Sequence, residues 1–441
     1  MAQQPARPMT QGPSSSAGSP EAGGPETGGP AAASSATASS ATAGSATASS
    51  VAGMATTVRT NAAAAKAATR DYRLDFFRGL ALVFIFIDHI PDNIVSFFTL
   101  RSFAFCDAAE VFIFISGYTA ALAYAPVFGR EGTAMGVARI YRRVWQLYVA
   151  HLCLFMIFTA EVAYTLKYLQ NPLFADELQV GDYLQNQGET FIRVLLLQFQ
   201  PSLLNILPLY ILLLLALPPL ILLIRRHILL GLVPSAALYL AANLLGWNLP
   251  GFPEGRWWFF NPLSWQFLFT IGVTLGFVRS LGGRWLRSIP GLPVVAAIIV
   301  VAAGALQFAW ILHEPFNLIP YYLPLPDPWL DKTMLPPARL VSLLALAVVV
   351  GAYVPRDARF MKSTAGWVIV LCGQNSLEVF CLGILLSVLA NFVLSLAGYG
   401  LFDQFLVNLG GLAIMFAFGL LLAWFKAGGR LPAAPRPENA S

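Results

Sequence analysis

The chain has 441 residues, 57% of them hydrophobic and only 11% charged, with a mean hydropathy of +0.66 and a formal net charge of +5. An ordinary soluble domain carries about 25% charged residues, so this composition excludes a typical globular enzyme and describes a polytopic helical membrane protein. The Leu- and Phe-rich runs lack period-2 alternation, which disfavours a transmembrane β-barrel, and the modest charge indicates no nucleic-acid partner. Cys106, Cys153, Cys372 and Cys381 lie in or beside apolar runs without a CxxC pair. They read as packing residues, with neither a disulfide framework nor a metal centre.

Residues 1–70 are Ala, Ser, Thr, Gly and Pro with almost no aromatic residue. Such a segment cannot bury enough apolar surface to offset its ordering entropy, and it lacks a compact apolar stretch with a cleavage site. It is expected to be a disordered cytoplasmic tail. The membrane domain is expected over 71–427, with a short cytoplasmic tail at 428–441.

The predicted architecture is all-α: a transmembrane bundle of about ten helices in the lipid bilayer. The segments fall near 76–95, 108–126, 144–166, 203–224, 227–246, 262–281, 291–312, 338–355, 374–397 and 405–425. The stretch 190–200 is too short to span and is expected to form a partial or interfacial helix. Arginine-rich loops alternate with acidic ones, from Arg139, Arg142 and Arg143 to Asp182 and Glu189, then Arg225 and Arg226. The positive-inside rule then places both termini in the cytoplasm and, in a bacterial inner membrane, the acidic loops in the periplasm. Those outer loops contain Trp247, Trp257 and Trp258. They serve either as interfacial belts or as platforms for a sugar.

The first segment carries the most informative residues. Arg78 and His89 are eleven residues apart, so on a helix they share a stripe within about 20° and stand roughly 16 Å apart along its axis. Asp75 lies near that stripe and Asp88 adjoins the histidine. Ionisable residues inside a membrane segment are expensive and mark function by default. A histidine is the usual general base for a hydroxyl; the structural alternative is a neutral ring bonded to a neighbouring helix. His151, Glu161, His227 and His313 do not make comparable constellations.

The second segment opens with Asp107-Ala-Ala-Glu110 and continues to Ser116-Gly117-Tyr118. Asp107 suits a helix cap, whereas Glu110 enters at the depth where His89 ends the first segment and is positioned to orient the imidazole. Ser116 reads either as a nucleophile or as a close-packing residue. Farther on, Gly373-Gln-Asn-Ser376 is a natural break and helix start. Gln374 and Glu378 follow at i, i+4 spacing, and these two suit donor binding or packing.

Three phrases then carry a resemblance: Arg70-Asp-Tyr-Arg-Leu-Asp75-Phe-Phe-Arg78-Gly, Asp107-Ala-Ala-Glu110-Val-Phe-Ile-Phe-Ile-Ser-Gly-Tyr118, and Gly373-Gln-Asn-Ser-Leu-Glu378-Val-Phe. With Arg78 and His89 separated by ten residues, the chain resembles the acyltransferase 3 integral membrane acyltransferases, and most closely their OpgC branch. The resemblance implies transfer of succinyl groups from acyl-CoA, here succinyl-CoA as a substrate with no permanently bound cofactor, to a periplasmic glucan or other polysaccharide. It implies His89 as the catalytic base; Glu110 and Asp88 are its candidate catalytic partners by their placement beside it. Arg78 belongs to the donor-side motif, and Asp75, Asp107, Ser116, Gln374 and Glu378 are grouped with it as candidate donor- or substrate-binding residues. The competing reading is a transporter or flippase that uses the same Asp, Glu and His as a proton relay. Transporters commonly show internal repeats and paired broken helices; no repeat is evident here, and the break at Gly373 has no evident mate.

Overall fold

The computed structural model describes residues 71–169, 178–281, 289–313 and 329–434. The proposed N-terminal tail lies outside them, as does most of the outer loop before Trp329. All described elements belong to one compact unit, Asp71–Ser441.

Helix α1 (Tyr72–Asp88) starts where the Asp71 side chain accepts the Arg73 amide, and it ends at His89. Two 3₁₀ turns, Ile94–Phe98 and Leu100–Ser102, lead to α2 (Ala108–Arg130). There Asp107 and Glu110 form a reciprocal capping box that satisfies two otherwise orphaned amides. Then follow the long α3 (Thr133–Leu169) and the short α4 (Gly181–Gln185) and α5 (Gln187–Leu195). The partial helix expected near 190–200 is thus α5.

The fourth predicted segment is divided into α6 (Ile206–Leu215) and α7 (Leu217–Arg226), bent by 47°. Pro218 and Pro219 sit just after the bend and cannot supply the amides that would continue the ladder. The remaining helices are α8 (Ile228–Leu245), α9 (Pro262–Ser280), α10 (Leu292–His313), α11 (Pro337–Tyr353) and the one-turn α12 (Arg359–Lys362). Helix α13 (Thr364–Gln374) breaks at Asn375 before α14 (Ser376–Ala397), and α15 (Leu401–Lys426) closes the set.

Every one of the ten predicted segments contains a helix, but length and apolarity qualify fewer as spans. Among the described residues, six helices are long and apolar enough to cross a membrane, or seven if the bent α6–α7 pair is one span. Helix α1 falls short at 17 residues and carries Arg73, Asp75, Arg78 and Asp88; α11 has the same length. The charge that makes α1 functionally interesting is also what lowers its apolarity.

Glycines set the closest helix crossings. A Cβ at Gly79 of α1 would strike the Ile369 carbonyl oxygen on α13, and one at Gly373 would strike that of Asp75 on α1. On the α2–α9 crossing, Gly117 faces Phe269, while Gly272 and Gly276 face Phe114 and Tyr118. These approaches are backbone to backbone, the arrangement small residues permit in membrane bundles. The core between them is apolar, with Trp265, Phe86, Phe155 and Phe158 fully buried.

Candidate active site

His89 caps the C-terminus of α1 and is half-buried. Its Nδ1 lies 2.6 Å from the Ile85 carbonyl oxygen. A carbonyl oxygen can only accept, so in the neutral ring Nδ1 carries the proton and Nε2 keeps the basic lone pair. Asp88, the neighbouring carboxylate, accepts the Thr99 hydroxyl at 2.7 Å. Both residues line a cavity of about 510 Å³ that also contains Arg101, Asp107, Lys332 and Arg339, with Phe259, Phe260 and Trp310 as aromatic walls.

A charged cluster closes one side of this cavity. Arg339, in the first turn of α11, donates through Nε to Glu110 Oε1 at 2.6 Å and through Nη2 to Asp107 Oδ2 at 3.3 Å. Lys332 Nζ stands 2.6 Å from the same Asp107 oxygen. Burial by itself raises the Asp107 carboxyl, but Lys332 and Arg339 outweigh it and hold the group well below the ordinary carboxylate range.

That cluster corrects the expected role of Glu110. Its Oε1 is taken by Arg339 and its Oε2 accepts the Asp107 amide at 3.0 Å. The side chain is fully buried, and among the described residues it makes no hydrogen bond to His89. A guanidinium arriving from another helix offers a charged donor that a half-buried imidazole cannot match. The imidazole is oriented instead by its own helix backbone.

A second cavity, of about 230 Å³, lies farther along the same helices and is lined by Arg78, Ser116, Thr119, Arg143 and Ser376 among others. Arg78 Nη2 donates to Thr119 Oγ1, whose own proton goes to the Ile115 carbonyl at 2.8 Å. Ser116 lines this cavity and not the His89 one, so a covalent partnership with His89 finds no support in their placement. Asp75 and Gln374 are brought together at 3.5 Å where α1 crosses α13. Glu378 is engaged elsewhere, with Lys426 Nζ at 2.9 Å. His151 and Glu161 line neither cavity.

Arg339, Lys332 and Arg143 were not singled out by sequence reasoning. Arg339 and Lys332 had a usable signal: they are basic residues at the outer end of a predicted segment on a side otherwise rich in acids. Their partners come from a segment more than 200 positions away, which no local pattern announces.

The long apolar helices describe a membrane protein whose helix bundle holds two cavities lined in part by charged side chains. The family model described as OpgC protein matches residues 70–427, and the chain belongs to that family. Membership points to a membrane acyltransferase. Comparison with curated proteins and with solved structures finds no match.

Proposed function

We propose that the protein is an O-acyltransferase that moves an acyl group, succinyl by the family resemblance, from acyl-CoA to hydroxyls of a glucan or other polysaccharide. The observation that carries this reading is the His89 geometry: Nδ1 committed to the Ile85 carbonyl, and Nε2 left to act as base in a cavity roomy enough for a sugar residue. In the reaction, Nε2 takes the proton of the acceptor hydroxyl as its oxygen attacks the thioester carbonyl carbon. The C–S bond then breaks, and the proton passes to the departing thiolate, yielding an ester and free CoA. Asp88 stands on the same cavity wall as the base, its carboxyl held by the Thr99 hydroxyl. Glu110 acts at one remove, by holding Arg339 and with it the wall of the cavity.

Arg78 and Arg143 suit the phosphates of the donor, and the roughly 16 Å between Arg78 and His89 matches the scale of a pantetheine arm. With the termini in the cytoplasm, as the loop charges imply, donor and acceptor approach from opposite sides of a bacterial inner membrane. Direct attack is preferred to an acyl-Ser116 intermediate because Ser116 lies in the other cavity.

Cells lacking the protein, complemented with wild type or His89→Ala, provide the test, with mass spectrometry of extracted glucans. Wild type restores the acyl mass increment; His89→Ala, at equal membrane abundance, lowers transfer by about 10²–10⁴-fold. Unchanged acyl content in the variant removes His89 from catalysis.

The transport reading gains one observation from the structure. The break at Asn375 has a companion in the bend between α6 and α7, and paired broken helices are a transporter feature. Family membership favours acyl transfer.

A further inference from the structure

The two cavities are stacked end to end, and four helices agree on the order. Along α1 the larger cavity takes Ile85, Asp88 and His89, and the smaller one takes Arg78. Along α2 the larger takes Asp107, Ala108 and Ala109, whereas the smaller takes Phe112 to Tyr124. Before and within α6, Ser202 to Ile206 face the first, and Ile206 to Tyr210 face the second. On α14, Ser376 and Leu377 face the smaller cavity alone.

Among the described residues, only Ile206 and Phe380 line both. They are 6% and 3% exposed. Phe380 is backed by Phe112 with ring centroids 6.4 Å apart, and Phe112 in turn meets Tyr210 at 6.3 Å. The barrier between the chambers is therefore an apolar layer about one side chain thick. On its far side stand two arginines, and on its near side a base and a charged cluster.

We propose that Phe380 and Ile206 form a displaceable partition, and that the two chambers are one site for a long, anionic-headed acyl donor whose arm passes between these side chains. This rests on the acyl-transfer reading above and adds where the donor crosses. An apolar plug suits the task for two reasons. With no donor present it keeps water and protons from running between two polar cavities in a membrane. When the arm enters, the Phe380 ring turns aside and packs against its alkyl chain, and this packing takes the place of the stacking on Phe112. The partition side chains themselves carry no polar group that the exchange would have to desolvate.

The test uses full-length protein in proteoliposomes, as wild type, Phe380→Ala, Phe380→Trp and His89→Ala. The first readout needs no donor: proton leak reported by an enclosed pH-sensitive dye. Phe380→Ala raises the leak several-fold over wild type, and Phe380→Trp does not. The second readout is succinyl transfer from succinyl-CoA to a glucan on the opposite side. Phe380→Trp lowers it at least tenfold while its melting temperature in detergent stays at the wild-type value. A Phe380→Ala protein no leakier than wild type overturns the partition, and a Phe380→Trp protein that transfers at the wild-type rate overturns the passage. If the wild-type protein transfers no succinyl group, the acyl-transfer reading falls, and the leak result still decides whether Phe380 divides the chambers; a His89→Ala protein that transfers normally removes only His89 from catalysis.

Discussion

At the residue scale, the site depends on how buried charges are matched. Glu110 is fully buried and has both oxygens engaged, one by Arg339 and one by the Asp107 amide. Removing one member of such a pair leaves the other charge without compensation, which is far more damaging than removing both. Arg339→Met should therefore destabilise the protein by about 3–5 kcal/mol, measured as unfolding in detergent micelles. Adding Glu110→Gln to Arg339→Met should recover part of that loss. Additive effects in this double-mutant cycle would show that the two side chains do not act as a pair. His89 presents the opposite case: its orientation comes from a backbone carbonyl one turn earlier, so the histidine tautomer is set within α1 itself.

At the element scale, the placement of the site follows from how closely α1 can approach α13. Gly79 and Gly373 let the two backbones touch, and the chain then breaks at Asn375 so that α14 can carry Ser376 and Phe380 to the cavities. Gly79→Ala puts a methyl group against the Ile369 carbonyl, where backbone has to move, and should cost about 1–3 kcal/mol. Gly129→Ala in α2 meets nothing within 4 Å. That change should leave stability unaltered or raise it by up to ~1 kcal/mol through better helix propensity. Thermal unfolding of the two purified variants side by side checks the contrast; equal shifts would mean that the α1–α13 crossing tolerates a wider spacing.

At the scale of the whole molecule, the surface is that of a protein immersed in lipid. Helix α10 is the extreme example, with 11% of its most apolar window buried inside the protein and Val301 69% exposed. A lysine at a central lipid-facing position opposes insertion by about 2.5–3.5 kcal/mol. Val301→Lys is expected to lower the membrane-integrated fraction after alkaline extraction, and Val301→Leu to leave it unchanged. A wild-type fraction for the lysine variant would remove α10 from the lipid boundary.

Much of this was legible in the sequence because it is local. Apolar runs report helices, a Gly-Gln-Asn-Ser phrase reports a break, Asp107 at the head of an apolar run reports a helix cap, and an eleven-residue spacing puts Arg78 and His89 on one stripe. Each depends on residues within a few turns of one another. Tertiary structure decided what those residues meet. It turned Glu110 from His89 to Arg339, gave Glu378 to Lys426, and put Ser116 in a different chamber from the base. The bend between α6 and α7 and the partition at Phe380 and Ile206 also appear only when the helices are packed. Ion-pair choice inside a bundle is settled by which charged groups arrive at the same depth from different helices, and spacing along one helix carries no record of its neighbours.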